Sequence, residues 1–291
     1  MNLTIKNLAG FLCLPFLFGA MGCSTPSAVE LITEDRLALG QLTASGKPAL
    51  SAVQIVDRAQ NNGRLREISE NLPVFSYTRK VTTTKPGNKK VTANQKTKTY
   101  KAYTNNRDQA LIKINDRDPT EKETEKDRKE SLKHQRQFLK RNDKKGSEKV
   151  MTNNMDRYRE KFIPRLIGAE LVGNRPAYLI QLVPDPNHEL KNPTADRIMN
   201  QMLVKLWIDQ QEFQVSKMEA KTVAPIKIAA GIIGSINSIH VRLEQKRLTP
   251  EIWTDHKVEA VFDVRIIIAN FTYKVTSQSS GFKLVTVKIH D

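Results

Sequence analysis

The chain has 291 residues, with 47 lysines and arginines against 31 aspartates and glutamates, and a formal net charge of +16. Such an excess is typical of proteins that bind nucleic acid or anionic membranes. The sequence has no zinc-finger spacing, no RNA-reading aromatic signature and no clear helix-turn-helix, so we expect no nucleic acid partner. It also has no G-x-S-x-G, P-loop or G-x-G-x-x-G motif and no histidine pair at zinc-binding spacing. We therefore expect no enzyme activity, no cofactor and no metal site.

The first 22 residues have the layout of a secretory signal. Lys6 is their only charged residue, and the apolar run over residues 8–20 contains the helix-breaking Pro15. A helix needs about 20 apolar residues to cross a bilayer core, and this run is shorter. The pattern predicts a removed signal peptide over residues 1–22 rather than a permanent membrane span.

Cys23 is the predicted lipid attachment point. The run AMGC at residues 20–23 resembles a bacterial lipobox, in which a small residue precedes a cysteine that receives diacylglycerol and then a third acyl chain. Cys13 would leave with the signal, so Cys23 would have no disulfide partner in the processed chain. The alternative is a chance cysteine in a signal peptide cut elsewhere. We expect membrane lipid to be a partner through acylated Cys23, with residues 23–46 as a lipidated tether.

The residue after Cys23 bears on location. Ser24 is not the aspartate that retains lipoproteins at the inner membrane of some Gram-negative bacteria. We therefore expect a lipid-anchored protein of the cell envelope, at the outer membrane facing the periplasm rather than at the inner membrane.

Helices come first in the predicted domain, and strands follow. Residues 48–61 carry apolar side chains at helical spacing, and residues 63–72 suit a second short helix. Alternating β-branched and aromatic residues then predict strands, over residues 75–83, 91–103 and 110–114.

Nine basic residues and no acidic one lie between Arg79 and Arg107. One interpretation is the solvated face of a hairpin, with lysines that prevent edge pairing. The other is contact with lipid headgroups or another anionic surface. For the second, the candidate residues are Lys85, Lys89, Lys90, Lys96 and Lys98.

Residues 116–149 form a charged segment of mixed sign, with 12 basic and 9 acidic side chains. The mixture predicts an exposed helical insert rather than a binding patch. A further helix is predicted over residues 151–162. Beyond it, strands are predicted over residues 166–172, 177–183, 203–209, 213–221, 239–245, 248–254, 258–268, 271–276 and 282–289. Residues 194–202 suit a helical turn or two, residues 225–236 a buried helix or lid, and residues 278–281 a turn.

The clearest pattern is the period-2 alternation over residues 258–268, which predicts a long strand with one strongly apolar face. That face either packs against a helix or holds a lipid chain, and the sequence leaves both open. The ligand candidates on it are Val258, Phe262, Val264, Ile266 and Ile268. Trp207 and Trp253 are either packing aromatics at strand ends or parts of a ligand wall.

About ten or eleven strands and three or four helices follow each other without strand–helix alternation. This order predicts an α+β fold: a strongly curved antiparallel sheet, or half-barrel, with helices over its concave face. We expect a single domain over residues 47–291, with the charged helical insert at about 116–149.

Three stretches resemble the outer-membrane lipoprotein-sorting (Lol) superfamily. They are KLWIDQQEFQVSKMEAK (205–221), VGNRPAYLIQLVPDP (172–186) and VRLEQKRLTPEIWTDHKVEA (241–260). The resemblance covers roughly residues 48–289. It implies a half-barrel closed by helices over an apolar concavity, in a superfamily whose members carry or sense the acyl chains of lipoproteins.

The expected function is therefore the binding of an acyl chain, lipoprotein or other apolar ligand by an anchored periplasmic protein. One alternative is an envelope scaffold or signalling module that docks another protein through an exposed edge or the charged segment. A hydrolase of envelope material is a third hypothesis, and no motif in the sequence favours it.

Replacing Cys23 tests the predicted anchor. Cys23→Ser removes the acylated thiol, so we expect a soluble form or an uncut precursor, measured by membrane fractionation and intact mass. A Cys23→Ser chain that is processed normally and stays on the membrane would exclude the lipobox.

Overall fold

The computed structural model describes residues 50–68, 72–85, 94–104, 109–143, 161–187, 198–228, 234–266 and 269–285. The predicted signal peptide, Cys23 and its tether, Lys89, Lys90 and Ile268 lie outside these residues. The helices are α1 (Ala52–Ile68) and α2 (Glu121–Asp143). The strands are β1 (Phe75–Lys85), β2 (Asn94–Tyr103), β3 (Gln109–Ile114), β4 (Phe162–Val172), β5 (Arg175–Pro184), β6 (Met202–Asp209), β7 (Val215–Thr222), β8 (Ile226–Ile228), β9 (Gly234–Arg247), β10 (Trp253–Ile266) and β11 (Ala269–Leu284).

All eleven strands belong to one antiparallel sheet. Its order is β3-β2-β1-β11-β10-β9-β7-β6-β5-β4, and the short β8 pairs with β9. The sheet is open, because β3 and β4 end the order and do not pair with each other. Since β1 pairs with β11, the first and the last strand lie side by side within the sheet, third and fourth from its β3 edge. The prediction of an α+β fold built on one large open antiparallel sheet is confirmed.

Helix α1 packs on one face of this sheet. Ser51 and Gln54 form a capping box, since the Gln54 amide donates to Ser51 Oγ (3.2 Å) and Gln54 Oε1 accepts from the Ser51 amide (2.9 Å). The helix then buries Ile55, Val56 and Ala59 in a cluster with side chains of β5, β6 and β7. We call this side of the sheet the helix-bearing face.

Helix α2 lies on the same face. Thr120 and Glu123 form a second capping box, and Arg117 donates to both carboxylate oxygens of Glu123 at 2.9 and 2.7 Å. The bond from Arg117, with that from the Thr120 amide, lowers the pKa of Glu123 to about 2. Two turns later Asp127 contacts Lys98 and Tyr100 of β2. In the described chain, neither helix combines the length and apolar composition of a bilayer-spanning helix.

Helix α1 runs through the predicted break between residues 48–61 and 63–72. Gly63 lies inside it, where a glycine costs about 1 kcal/mol relative to alanine and does not end the helix. Only the last residues of the helix predicted over residues 151–162 are in the described chain. There the prediction is wrong, because Phe162 belongs to β4. Within residues 194–202, a helical turn at 198–200 precedes β6.

The buried helix or lid predicted over residues 225–236 is wrong for the described part of that stretch. Residues 226–228 form β8 and pair with the start of β9, where Ile226 lies opposite Ile236. The reason is that isoleucines favour paired strands, and a short apolar run does not distinguish a strand from a helix by periodicity.

Two predicted boundaries near the carboxyl end are also wrong. Residues 248–252 form a turn rather than a strand, since the Ile252 amide bonds back to Thr249 Oγ1 (3.1 Å). The turn predicted at residues 278–281 is part of β11, which continues to Leu284 along β1. Gly281 has a φ of +66°, which lets the strand absorb a local irregularity without ending.

Gly234 opens β9 at a position where a side chain does not fit. A Cβ there would lie 2.1 Å from the carbonyl oxygen of Arg265, and φ is +157°. We expect Gly234→Ala to lower the free energy of unfolding by roughly 2 kcal/mol, measured by urea denaturation. Gly168→Ala is the control, because a Cβ there meets nothing within 4 Å. Equal effects of the two substitutions would contradict this account.

Candidate functional site

The helix-bearing face of β9 and β10 carries a second apolar cluster. Its buried members are Ile239, Val241, Ala260, Phe262 and Val264. Cross-strand pairing explains the alignment, because Val241 lies opposite Ala260 and Ile239 opposite Phe262. This cluster contains part of the predicted ligand face.

The predicted ligand residues are mostly buried in this conformation. Val258, Phe262 and Val264 are 5%, 7% and 3% exposed, while Ile266 is half-buried at the cluster's edge. Ile198 packs against both this cluster and the one under α1. A ligand can therefore reach Val258, Phe262 and Val264 only if the groups packed over them move aside.

Half-buried apolar side chains continue the same face toward α2. Val275 of β11 lies opposite Ala260, and Tyr273 lies opposite Phe262. Burial raises the pKa of the Tyr273 phenol, as expected for a hydroxyl held against apolar neighbours. Val81 of β1 extends the row, since it lies opposite Ser277. Strands lie about 4.8 Å apart, so β9, β10, β11 and β1 together span about 14 Å of apolar surface.

The opposite face of these strands is charged. Arg242 pairs with Glu219 (3.6 Å) and Glu244 (3.1 Å), and Lys274 pairs with Glu259. These side chains alternate with the apolar ones along each strand, as period 2 requires. We call this side the charged face, and its ion pairs are those of a solvated surface.

Three of the predicted anionic-surface lysines, Lys85, Lys96 and Lys98, lie in the described chain. Lys85 and Lys96 are exposed near the end of the β1–β2 hairpin. Lys98 is half-buried on the helix-bearing face and is already paired with Asp127 of α2. The headgroup role of the exposed lysines stays a prediction.

A buried carboxylate fixes the end of the sheet near α1. The side chain of Asp209 is 1% exposed and accepts from Arg175 Nε (2.6 Å) and Nη2 (2.9 Å). It also accepts from the backbone amides of Gln211 (3.0 Å) and Glu212 (2.8 Å) in the turn after β6. Burial alone would raise the pKa of Asp209, but these bonds outweigh it and hold the pKa below its usual range.

Glu212 extends this network to two further strands. It accepts from Arg247 Nε (2.8 Å) and from the indole of Trp253 (2.8 Å). Arg175 lies over the Trp253 ring at 5.7 Å. We call Arg175, Asp209, Glu212, Arg247 and Trp253 the end network.

The end network joins the three stretches that carry the family resemblance. Arg175 lies in 172–186, Asp209 and Glu212 lie in 205–221, and Arg247 and Trp253 lie in 241–260. Sequence reasoning missed this convergence. The signal that could have found it is that each stretch carries charged or indole groups just where a strand ends.

Helix α1 is tied to the same turn. Asn62 Nδ2 donates to the Glu212 carbonyl (2.9 Å), and the Arg58 guanidinium lies 5.1 Å from the centre of the Phe213 ring. Phe213 has a φ of +49°, so the turn is held in a backbone conformation that residues other than glycine rarely adopt. The network is therefore a structural brace that positions α1 over the sheet.

Both tryptophans are packing residues rather than a ligand wall. Trp253 belongs to the end network, and Trp207 lies on the charged face, where its indole donates to Glu170 (2.7 Å). His256 Nδ1 lies 2.8 Å from the Ser279 carbonyl, in a contact between strands rather than a catalytic arrangement. The described residues contain no group of three or more His, Cys, Asp or Glu side chains that could hold a metal ion.

No family model matches the chain, and no curated protein sequence matches it. Among solved structures, it is similar to a LolA-superfamily protein of Nitrosomonas europaea at 12% identity and a TM-score of 0.28, covering 82% of this chain and 96% of that chain. It is similar to an outer-membrane lipoprotein-sorting protein domain of Vibrio parahaemolyticus at 9% identity and a TM-score of 0.31, covering 79% and 94%. A third similar structure is MucB of Pseudomonas aeruginosa in complex with MucA, at 8% identity and a TM-score of 0.23, covering 81% and 99%.

The lowered pKa of Asp209 makes stability depend on pH. A carboxyl whose pKa is lowered by folding stabilises the fold above its unfolded pKa, about 4, and this contribution is lost as the pH falls through the folded value. We expect Asp209→Asn to cost about 3 kcal/mol at pH 7 and to reduce the loss of stability between pH 7 and pH 3. Urea unfolding at both pH values measures this.

The exposed Asp118 supplies the matched control for that experiment. Asp118→Asn should leave both the stability at pH 7 and its pH dependence unchanged. If the stability of Asp209→Asn depended on pH in the same way as that of the native chain, Asp209 would not be a cause of the pH dependence.

Proposed function

We propose that this chain is a lipid-anchored protein of the cell envelope that binds an acyl chain, a lipoprotein or another apolar ligand on its helix-bearing face. The observation that carries the proposal is the apolar surface across β9, β10, β11 and β1 between the two helices. The ion pairs of β7, β9, β10 and β11 lie on the opposite face, which leaves this surface free of fixed charge except near α2.

The energetics favour a ligand with a long alkyl chain. Each CH2 group that leaves water contributes about 0.8 kcal/mol to the free energy of binding. A long alkyl chain can therefore displace protein groups that are held over the apolar surface by few contacts. Val81, Tyr273 and Val275 are the first side chains that such a ligand meets, because they are half-buried. Val258, Phe262, Val264 and Ile266 would follow as the ligand enters, as would Ile268.

The anchor and the apolar face serve one purpose under this proposal. Acylated Cys23 would keep the chain at the membrane surface, where apolar ligands leave or enter the bilayer. The exposed Lys85 and Lys96 would then face anionic headgroups nearby. The outer membrane, facing the periplasm, is the proposed location.

A pair of adjacent substitutions on opposite faces tests the binding surface. Val275 lies on the helix-bearing face, opposite Ala260, and Thr276 lies on the charged face, opposite Glu259. We expect Val275→Arg to remove co-purified lipid, because a guanidinium would sit on the apolar surface, whereas Thr276→Arg should retain it. Organic extraction and native mass spectrometry of the purified protein measure the bound lipid.

Thermal unfolding of both variants separates loss of ligand from loss of fold, and Val275→Thr is the milder substitute. Native protein that carries no lipid would contradict the proposal. It would favour the scaffold alternative, for which the edge strand β4 offers Leu171, 70% exposed, and Ile163 as contacts for a partner protein.

A further inference from the structure

A buried carboxylate of α2, that of Asp127, lies on the helix-bearing face. Asp127 of α2 is 8% exposed, forms an ion pair with Lys98 and accepts a hydrogen bond from the Tyr100 hydroxyl (3.1 Å). Lys98 and Tyr100 are two residues apart on β2, so both point to this face. An ammonium and a hydroxyl thus converge on one carboxylate oxygen, which is a geometry that binds an oxyanion.

A second cation lies beside this position. Arg79 of β1 is directly opposite Tyr100. Among the arginines whose side chains are described, three are half-buried, and two of them, Arg175 and Arg247, are paired with carboxylates of the end network. The described contacts of Arg79 are the Tyr77 hydroxyl (2.6 Å) and the Tyr77 ring, which leaves its charge without a described carboxylate.

The apolar surface begins next to these cations. Val81 lies opposite Lys98 and packs against Tyr100, Leu111 and Ile114. On its other side Val81 lies opposite Ser277, which is opposite Val258 of the second apolar cluster's strand. If an oxyanion with an attached alkyl chain bound at Lys98, its alkyl chain would therefore lie on these apolar side chains.

Among the described side chains of α2, the buried contact with the sheet is charged rather than apolar. Its described side chains run to Lys133, and Asp127 is the only buried one among them. Most of the others are charged and exposed, such as Arg128 and Lys129, which pair with Glu125 on the helix surface. Exchanging the Asp127 carboxylate for another anion costs little free energy, because Lys98 stays paired and Asp127 regains its hydration.

We propose that Lys98, Tyr100 and Arg79 form a binding site for the phosphate or carboxylate head of an alkyl amphiphile, and that Asp127 fills this site in the unliganded chain. Binding exchanges α2 for the ligand and uncovers the apolar surface around Val81. This inference rests on the proposed function, because the alkyl chain needs the apolar face.

The test compares two probes with the same alkyl chain, one anionic and one neutral. The full chain is titrated calorimetrically with dodecyl phosphate and with dodecyl maltoside, and inorganic phosphate is a third titrant. We expect Asp127→Asn to tighten binding of dodecyl phosphate about tenfold more than binding of dodecyl maltoside. Loss of the Asp127 charge frees α2 and uncovers the apolar surface for both probes, but it leaves Lys98 unpaired for the anion alone. Adding Lys98→Gln to Asp127→Asn should remove the gain.

Glu130→Gln is the matched control, since Glu130 is exposed on the same helix and should change neither affinity. Asp127→Ser repeats the experiment if the asparagine variant folds poorly by thermal unfolding. Equal tightening of both dodecyl probes would overturn the anion site, because α2 would then be a steric cover only. If inorganic phosphate bound as tightly as dodecyl phosphate, the alkyl chain would contribute nothing, and the proposal of an amphiphile as ligand would be wrong.

The outcomes also separate this inference from the proposed function. Native chain that binds dodecyl maltoside, with no gain for dodecyl phosphate in Asp127→Asn, overturns the anion site and supports the apolar face. Absence of binding by both dodecyl probes in every variant overturns both proposals.

Discussion

The rest of the structure depends on the ion pair between Arg175 and Asp209. Asp209 ends β6, Arg175 begins β5, and the same carboxylate orders the turn into β7 through two backbone amides. Glu212 in that turn reaches Arg247 at the end of β9 and Trp253 at the start of β10. A carboxylate that is almost fully buried is stable only with its partners in place, so the network sets the relative positions of five strands.

Fixed registers decide which side chains share a face. A slip of one residue would move a whole set of apolar side chains to the other side, and here they stay on the side of the helices. The two helices are held there by different forces. Helix α1 buries Ile55, Val56 and Ala59 in the core, whereas α2 inserts the carboxylate of Asp127. On the proposal made above, α2 is the element that an anionic ligand would replace, because its buried contact with the sheet is a carboxylate.

Local patterns predicted much of the fold. The described part of the alternation over residues 258–268 belongs to β10, and the strands predicted over residues 166–172 and 177–183 correspond to β4 and β5. The failures occurred where local preference is weak. Residues 225–236 are apolar without a clear period, and residues 278–281 are small and polar, yet pairing with β9 and with β1 makes strands of their described parts. Pairing across many residues in sequence is not encoded in any short window.

The sequence by itself determined the large antiparallel sheet and its apolar strand, because spacing and period 2 are local properties, while the export signal with Cys23 stays a prediction. Only the tertiary structure decided that Arg175, Asp209 and Trp253 meet, and that Lys98 faces Asp127 rather than an outside anion. Those contacts join residues that are about 30 or more positions apart, and the sheet order brings them together. The physical reason is that register and strand order are set by the balance of burial and ion pairing over the whole sheet.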